Sequence, residues 1–442
     1  MLTRLDLRAA TTGHPLPESS RALAALLPRP QVAGDEPVAT VREILTEVRE
    51  GGDAALRRLT EQLDGARVET VAVPPAAISA ALDRIRPGLR AALEVAAAHI
   101  EAYHRAQRES PMELRQGGIS IRSLAVPVDR VGCYVPGGRA RYPSTVLMTA
   151  LVAKVAGVGR VVVATPPQPD GSVPDSTLAA AALAGVDEVY RVGGAQAIAA
   201  LAYGTETIEP VDVIVGPGNV YVAIAKREVA QAGLVGVPSS FSGPSEVVVV
   251  VDGSATVDFA AIDVIVQAEH GPDGLAWLVT WEPEVLDAVE IAVARLVAGN
   301  PRRRDIEATF AGGGHSVLVD RPEDAIAVSN AIAPEHLELM VDDPEPLVAL
   351  VRHAGAVFTG AWSPASVGDY VAGPSHVLPT FGSARFGQAL TVADFIKHVH
   401  IVHLDEPALR SVGPHVVALA EEEGLPAHAD SVRIRVGVRS PA

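Results

Sequence analysis

Apolar residues recur every three to four positions over residues 36–65 (Leu45, Val48, Leu56, Leu59) and again over 75–110 (Ile78, Leu82, Ile85, Leu89). That spacing predicts helices with one buried face. Over 119–135 the pattern changes to alternation and ends at Pro136-Gly137-Gly138, which predicts strand followed by turn and a domain boundary near Cys133. The next stretch reads as strand 160–164, an Ala-rich helix 175–184, strand 188–192, helix 195–203, strand 211–215 and helix 219–231. Such β-α-β-α-β alternation with short connections predicts a parallel sheet covered by helices, with ligands beyond the carboxyl ends of its strands. Two turns fall there, Gly193-Gly194-Ala195-Gln196 and Gly216-Pro217-Gly218-Asn219.

After a loop at 238–245, the pattern predicts strand 246–251, helix 259–270 stopped by Gly271-Pro272, strand 277–280, helix 284–298, strand 315–319 and helix 322–330. This makes a second α/β unit, completed by residues before 133, so that 134–245 becomes an insertion. From Thr391 onward a short helix, a strand at 399–404 and a helix near 407–423 suffice for a small appendage.

A length of 442 residues exceeds what one core serves and implies several domains. The formal charge of −17 has the wrong sign for a general nucleic-acid binder. With 48% apolar and 20% charged residues, wholesale disorder is excluded. The most apolar stretch, 145–164, carries Lys154 and Arg160, so no membrane span is expected. The N-terminus shows no secretory signal, and a cytoplasmic location is the expectation. A single cysteine, Cys133, excludes an internal disulfide or a thiolate-rich metal site; it reads as a buried small hydrophobe rather than a nucleophile. Any metal must therefore use nitrogen and oxygen ligands.

Gln267 and His270 stand three apart at the end of a predicted helix, on one face, where they can share a metal. Asp369 and His376 flank the Gly373-Pro374 break, and His428 is a further donor. Two imidazoles, a carboxylate and an amide oxygen suit zinc, although spacing alone equally fits ordinary hydrogen-bonded polar residues. Glu335 and His336 follow Pro334, which predicts a helix start with Glu335 in its first turn. The dipole accounts for Glu335 but not for His336, whose ordinary pKa of ~6.5 suits a general base. Neighbours on a helix diverge by about 100°, so the two are expected to approach a substrate from different sides. The Gly216 turn carries two of the three glycines of a dinucleotide fingerprint, with Tyr221 in place of the third. Ordinary strand-to-helix turns use the same glycines. The loop Tyr134 to Arg139 can be a nucleotide contact or only a turn.

Taken together, the chain resembles the histidinol dehydrogenases. The matching blocks include Tyr134-Val135-Pro136-Gly137-Gly138, Gly193-Gly194-Ala195-Gln196-Ala197, Gly216-Pro217-Gly218-Asn219, Gly243-Pro244-Ser245-Glu246 and Gln267-Ala268-Glu269-His270. Pro334-Glu335-His336-Leu337, Ser366-Val367-Gly368-Asp369-Tyr370, His376-Val377-Leu378-Pro379-Thr380 and Glu423-Gly424-Leu425-Pro426-Ala427-His428 continue them in family order. Where the family usually reads Ser-Gly-Leu-Ser, this chain has Gln388-Ala389-Leu390-Thr391.

The resemblance implies an α/β fold of two incomplete Rossmann-like domains with small N-terminal helical and C-terminal dimerisation elements. In this numbering they are a helical dimerisation segment 1–30, a zinc-carrying and catalytic domain of 31–133 plus 246–390, an inserted NAD-contacting domain 134–245, and an appendage 391–442 reaching the partner of a homodimer. It implies one zinc per subunit on Gln267, His270, Asp369 and His428, the last from the partner, with these same four also touching substrate. It further implies Glu335 and His336 as the acid/base pair, Ser245, His336, His376 and Glu423 at the substrate, and Tyr134, Gln196 and Asn219 at NAD. The implied reaction is the four-electron oxidation of L-histidinol to L-histidine through the aldehyde with two NAD, the last steps of histidine biosynthesis. Ser245, His376 and Glu423 argue for histidinol over another small alcohol such as a sulfonated diol.

Overall fold

The computed structural model describes residues 2–28, 36–108, 112–138, 140–238, 243, 245–270 and 274–437, with Glu36 and His270 described in the backbone only. The expected stop at Gly271-Pro272, Arg139 and most of the 238–245 loop lie outside the described residues. In chain order the strands are β1 (Thr3–Asp6), β2 (Met112–Gln116), β3 (Ile119–Pro127), β4 (Arg130–Tyr134), β5 (Arg160–Thr165), β6 (Glu188–Arg191) and β7 (Val213–Val215). They continue with β8 (Glu246–Val251), β9 (Leu275–Thr280), β10 (Gly314–Leu318), β11 (His336–Met340), β12 (Ala356–Thr359) and β13 (Ile396–Leu404). Contacts divide the chain into one compact unit of residues 1–107 and 129–394 and another of 108–128 and 395–442.

The first unit holds two parallel sheets. One runs β6-β5-β4-β7. Its strands are short apolar runs such as Val161-Val162-Val163-Ala164, all buried, as strands covered on both faces must be. Helices Pro143–Ala156 and Asp175–Leu183 pack together, as do helices Gly194–Tyr203 and Val220–Gln231. Val41, Leu45, Val48, Leu56 and Leu59 of helix Glu36–Leu59 join the core around the second pair. Helix Pro87–Ala106 packs on Pro143–Ala156. The sequence assigned residues 31–133 to the other domain, but an apolar stripe says only that a face is buried, not against what. These helices cover the four-stranded sheet instead. The single helix expected over 75–110 is broken at Ile85-Arg86, both extended, and restarts at Pro87, which is suited to a first helical position.

The other sheet runs β1-β10-β9-β8-β11-β12, all parallel. Glu-Val-Val-Val-Val-Val of β8 is buried throughout at its centre. Helices Val257–Val266 and Pro283–Ala298 form the core on one face, and helix Pro322–Ile332 with Leu23 and Leu27 forms it on the other. The N-terminal stretch, expected as a separate helical segment, supplies edge strand β1, paired with β10 from Thr3↔His315 to Asp6↔Leu318.

The boundary expected near Cys133 lies between Val128 and Asp129, because β4 is an inner strand of the four-stranded sheet. The second unit by itself is an antiparallel sheet β13-β3-β2 with helices Glu406–Glu422 and Pro426–Val436 packed on each other.

Candidate active site

Glu335 and His336 are not on a helix. Helix Pro322–Ile332 ends at Ala333 in the left-handed conformation (φ 55°), Pro334 cannot extend it, and His336 opens β11 between β8 and β12. Both side chains are buried (8% and 3% exposed), and instead of diverging they converge: Glu335 Oε2 is 3.6 Å from His336 Nδ1. Glu246, the first residue of β8, holds both. Its N–H donates to Glu335 Oε2 at 3.1 Å, and its carbonyl lies 3.2 Å from His336 Nδ1. A proton on Nδ1 then leaves Nε2 facing Asp369 Oδ1 at 3.4 Å. The Glu246 carboxylate is itself fixed, accepting from Phe381 N–H at 2.7 Å. Sequence reasoning gave Glu246 no role; a lone charge opening an all-valine strand was the available signal.

Burial pushes the Glu335 carboxyl up to about 7, opposed by the His336 charge and the Glu246 N–H and reinforced by Asp369. Burial works against the His336 imidazolium, but the Glu335 and Asp369 carboxylates outweigh it and raise its pKa to about 9. The cluster thus contains two proton carriers tuned to the neutral and mildly alkaline range.

Asp369 lies in the short helix Ala365–Tyr370, and its carbonyl is 2.8 Å from His376 Nδ1. His376 Nε2 is 3.1 Å from Thr145 Oγ1, in the first turn of helix Pro143–Ala156 beyond the carboxyl end of β4. Ser375 Oγ donates to the Met148 carbonyl on the same helix at 2.8 Å. The amino edge of the six-stranded sheet therefore meets the carboxyl edge of the four-stranded one. The ligand rule for parallel sheets points to carboxyl edges only; Glu335 and His336 sit at the opposite edge.

At the carboxyl edge of the four-stranded sheet, Tyr134 is buried and its hydroxyl accepts from Gly194 N–H at 3.1 Å. Burial pushes that phenol up to about 12. Gln196 is fully buried; its Nε2 is 3.4 Å from Asp64 Oδ2, and its Oε1 has no hydrogen-bond partner among the described residues. Burial raises the Asp64 carboxyl to about 6. Asn219 is exposed and caps helix Val220–Gln231, its Oδ1 accepting from Val222 N–H at 3.1 Å. Gly216 has φ 106°, and a Cβ there would lie 2.0 Å from the Tyr134 carbonyl oxygen, so this turn needs glycine for its own packing. Beneath it Lys226, fully buried, donates to the Gly216 carbonyl, and burial lowers its pKa to about 7. Cys133 is buried and its thiol pushed up to about 12, the state of an inert core residue.

Gln267 is 2% exposed, in the 3-10 turn Gln267–His270 that follows helix Val257–Val266, not on an α-helical face. Its carbonyl and that of Ser245 both lie within 3.4 Å of where a Cβ on Gly274 would be, so Gln267 and Ser245 adjoin the amino ends of β8 and β9. Among the described residues no three His, Cys, Asp or Glu residues cluster as a metal site. The His270 side chain lies outside the described residues. Glu423, closing helix Glu406–Glu422, and His428, in helix Pro426–Val436, belong to the second unit and are exposed there.

A family model described as histidinol dehydrogenase matches residues 27–436. A histidinol dehydrogenase of Synechococcus sp. is 49% identical over 401 residues, covering 90% of this chain and 92% of the relative. One of Rhizobium meliloti is 48% identical over 421 residues, covering 95% and 96%. The crystal structure of histidinol dehydrogenase from Elizabethkingia anophelis superposes with a TM-score of 0.90 at 32% identity, covering 99% of this chain and 98% of that one. With most of its length matched in both sequence and fold, the chain belongs to the histidinol dehydrogenase family, a family of oxidoreductases of histidine biosynthesis.

Proposed function

We propose that this protein is a zinc- and NAD-dependent enzyme that oxidises L-histidinol to L-histidine in two steps through the aldehyde. The observation that carries the reading is the convergence of Glu335, His336 and Asp369 on one buried spot. Gln267, His270 and Asp369, with His428 of a second subunit, would hold zinc. An amide oxygen, imidazoles and a carboxylate suit that ion, and Gln267 is buried beside the amino ends of β8 and β9. Bound zinc supplies a fixed positive charge that orients the substrate's imidazole and amine and polarises its oxygen. Tyr134, Gln196 and Asn219 would contact NAD, which takes up one hydride in each oxidation. The orphaned Gln196 Oε1 at the strand ends is the supporting feature.

His336 accepts the hydroxyl proton through Nε2 while Glu246 holds Nδ1 and fixes the tautomer. Asp369, which would also help hold the metal, faces Nε2 and stabilises the imidazolium that forms there. Glu335, whose raised pKa lets it both take and return a proton near neutrality, activates the water that adds to the aldehyde. His376, Ser245 and Glu423 line the substrate's path, Glu423 as part of a homodimer with shared sites. No helix among the described residues is long and apolar enough to cross a membrane, and a cytoplasmic biosynthetic role accords with that.

Initial rates of NADH formation with L-histidinol and with a sulfonated propanediol test the substrate. Turnover of histidinol at least tenfold above the diol is expected; the reverse order moves the assignment to another alcohol.

A further inference from the structure

Behind His336 lie two buried carboxyl groups that the chemistry above does not use. Glu338 is 2% exposed and stands two residues beyond His336 on β11, so both point to the same face of the sheet. Met340, next in that register, packs in the core built by helix Val257–Val266. Asp263, 6% exposed, lies on that helix and reaches Glu338 in a side-chain hydrogen bond. Glu338 Oε1 accepts from Ala365 N–H at 2.8 Å, at the start of helix Ala365–Tyr370. Glu338 Oε2 is buried with no donor among the described residues. Among the described residues the groups acting on Glu338 are Asp263 from the helix, His336 from its own strand and the Ala365 N–H, with no lysine or arginine among them.

A buried carboxylate facing another carboxylate is repelled and leaves lone pairs unsatisfied. One proton between them removes the repulsion and converts the orphaned oxygen into a hydrogen-bonded one. We propose that Asp263 and Glu338 share a proton at neutral pH, and that this bond is a positioning device locking helix Val257–Val266, β11 and helix Ala365–Tyr370 together. The first runs directly into the turn that begins with Gln267, and the other two carry His336 and Asp369, which otherwise come from distant stretches of sequence. Burial, then the neighbouring Asp263, pushes Glu338 up to about 9, and burial raises Asp263 as well. The shared proton rests on the burial of both carboxyls, the contact between them and the orphaned Glu338 Oε2; only the purpose of the lock rests on the proposed function.

Two measurements on the full-length protein test this. Infrared difference spectra at pH 7 between wild type and Glu338→Gln should show loss of a protonated-carboxyl C=O stretch that shifts in deuterium oxide. Glu338→Gln, which keeps an acceptor for Ala365 and a donor for Asp263, should retain most of the wild-type kcat. Glu338→Ala, which leaves Ala365 N–H and Asp263 unpaired, should lower kcat about tenfold or more. The absence of that infrared band in wild type, or Glu338→Gln as impaired as Glu338→Ala, would overturn the proposal. Should Glu338→Ala fail to fold, the infrared result and the activity of folded Glu338→Gln still decide. A wild-type protein inert to histidinol yet showing the band would contradict the proposed function and leave the shared proton standing.

Discussion

Replacing Glu335 by Gln removes one charge from a buried part of the site while keeping an oxygen for the Glu246 N–H, so the fold is retained. Two consequences can be worked out. The carboxylate lies 3.6 Å from His336 Nδ1, and at an effective dielectric near 20 that attraction is worth about 4–5 kcal/mol, or roughly three pKa units. Burial and Asp369 act on His336 in both proteins, and with them the His336 pKa stands at about 9. Loss of Glu335 should therefore lower the His336 pKa by about three units. A base works only when deprotonated, so wild-type activity rises as pH climbs through the His336 pKa, and in Glu335→Gln this rise shifts to lower pH. The second consequence is step-specific: losing the base for water addition should slow aldehyde oxidation by about 10²–10⁴-fold, while oxidation of the alcohol is spared by comparison. Steady-state profiles from pH 6 to 10 with histidinol and with histidinal, read as NADH formation, separate the two. An unmoved pH limb together with equal losses on both substrates would refute the charge-coupled division of labour.

Gly216→Ala should destabilise the protein by about 2–5 kcal/mol, from left-handed backbone strain plus overpacking against the Tyr134 carbonyl. Scanning calorimetry should show a lower Tm, and an unchanged Tm would mean the β4–β7 edge yields more readily than its burial implies. Dialysis against a strong zinc chelator should abolish turnover while leaving the far-ultraviolet circular dichroism intact, and added zinc should restore activity. Full activity after verified metal removal would rule out a metal role for Gln267, His270 and Asp369.

The four-stranded sheet was legible almost residue by residue, because a strand buried on both faces is a short apolar run that stands out between helices. Strand 246–251 was read without error for the same reason. β11 was not, since His336 and Glu338 interrupt its apolar pattern and Pro334 imitates a helix start; the polar residues point at buried partners that only the fold brings near. Edge strands β1 and β12, four residues each, were too short to register. The candidate site residues stood out as motifs, but the contacts between them did not. The hold of Glu246 on His336 runs through a backbone carbonyl, the His376–Thr145 contact joins residues 231 apart, and Gln196 meets Asp64 from another helix-rich segment. Side-chain type announces none of these.

Whether the cluster at the amino end of β11 performs both oxidations is tested most directly by the moles of NADH formed per mole of L-histidinol consumed at completion. The proposed chemistry requires two, with L-histidine as the product. A ratio of one with the aldehyde accumulating, or no NADH at all, would contradict it.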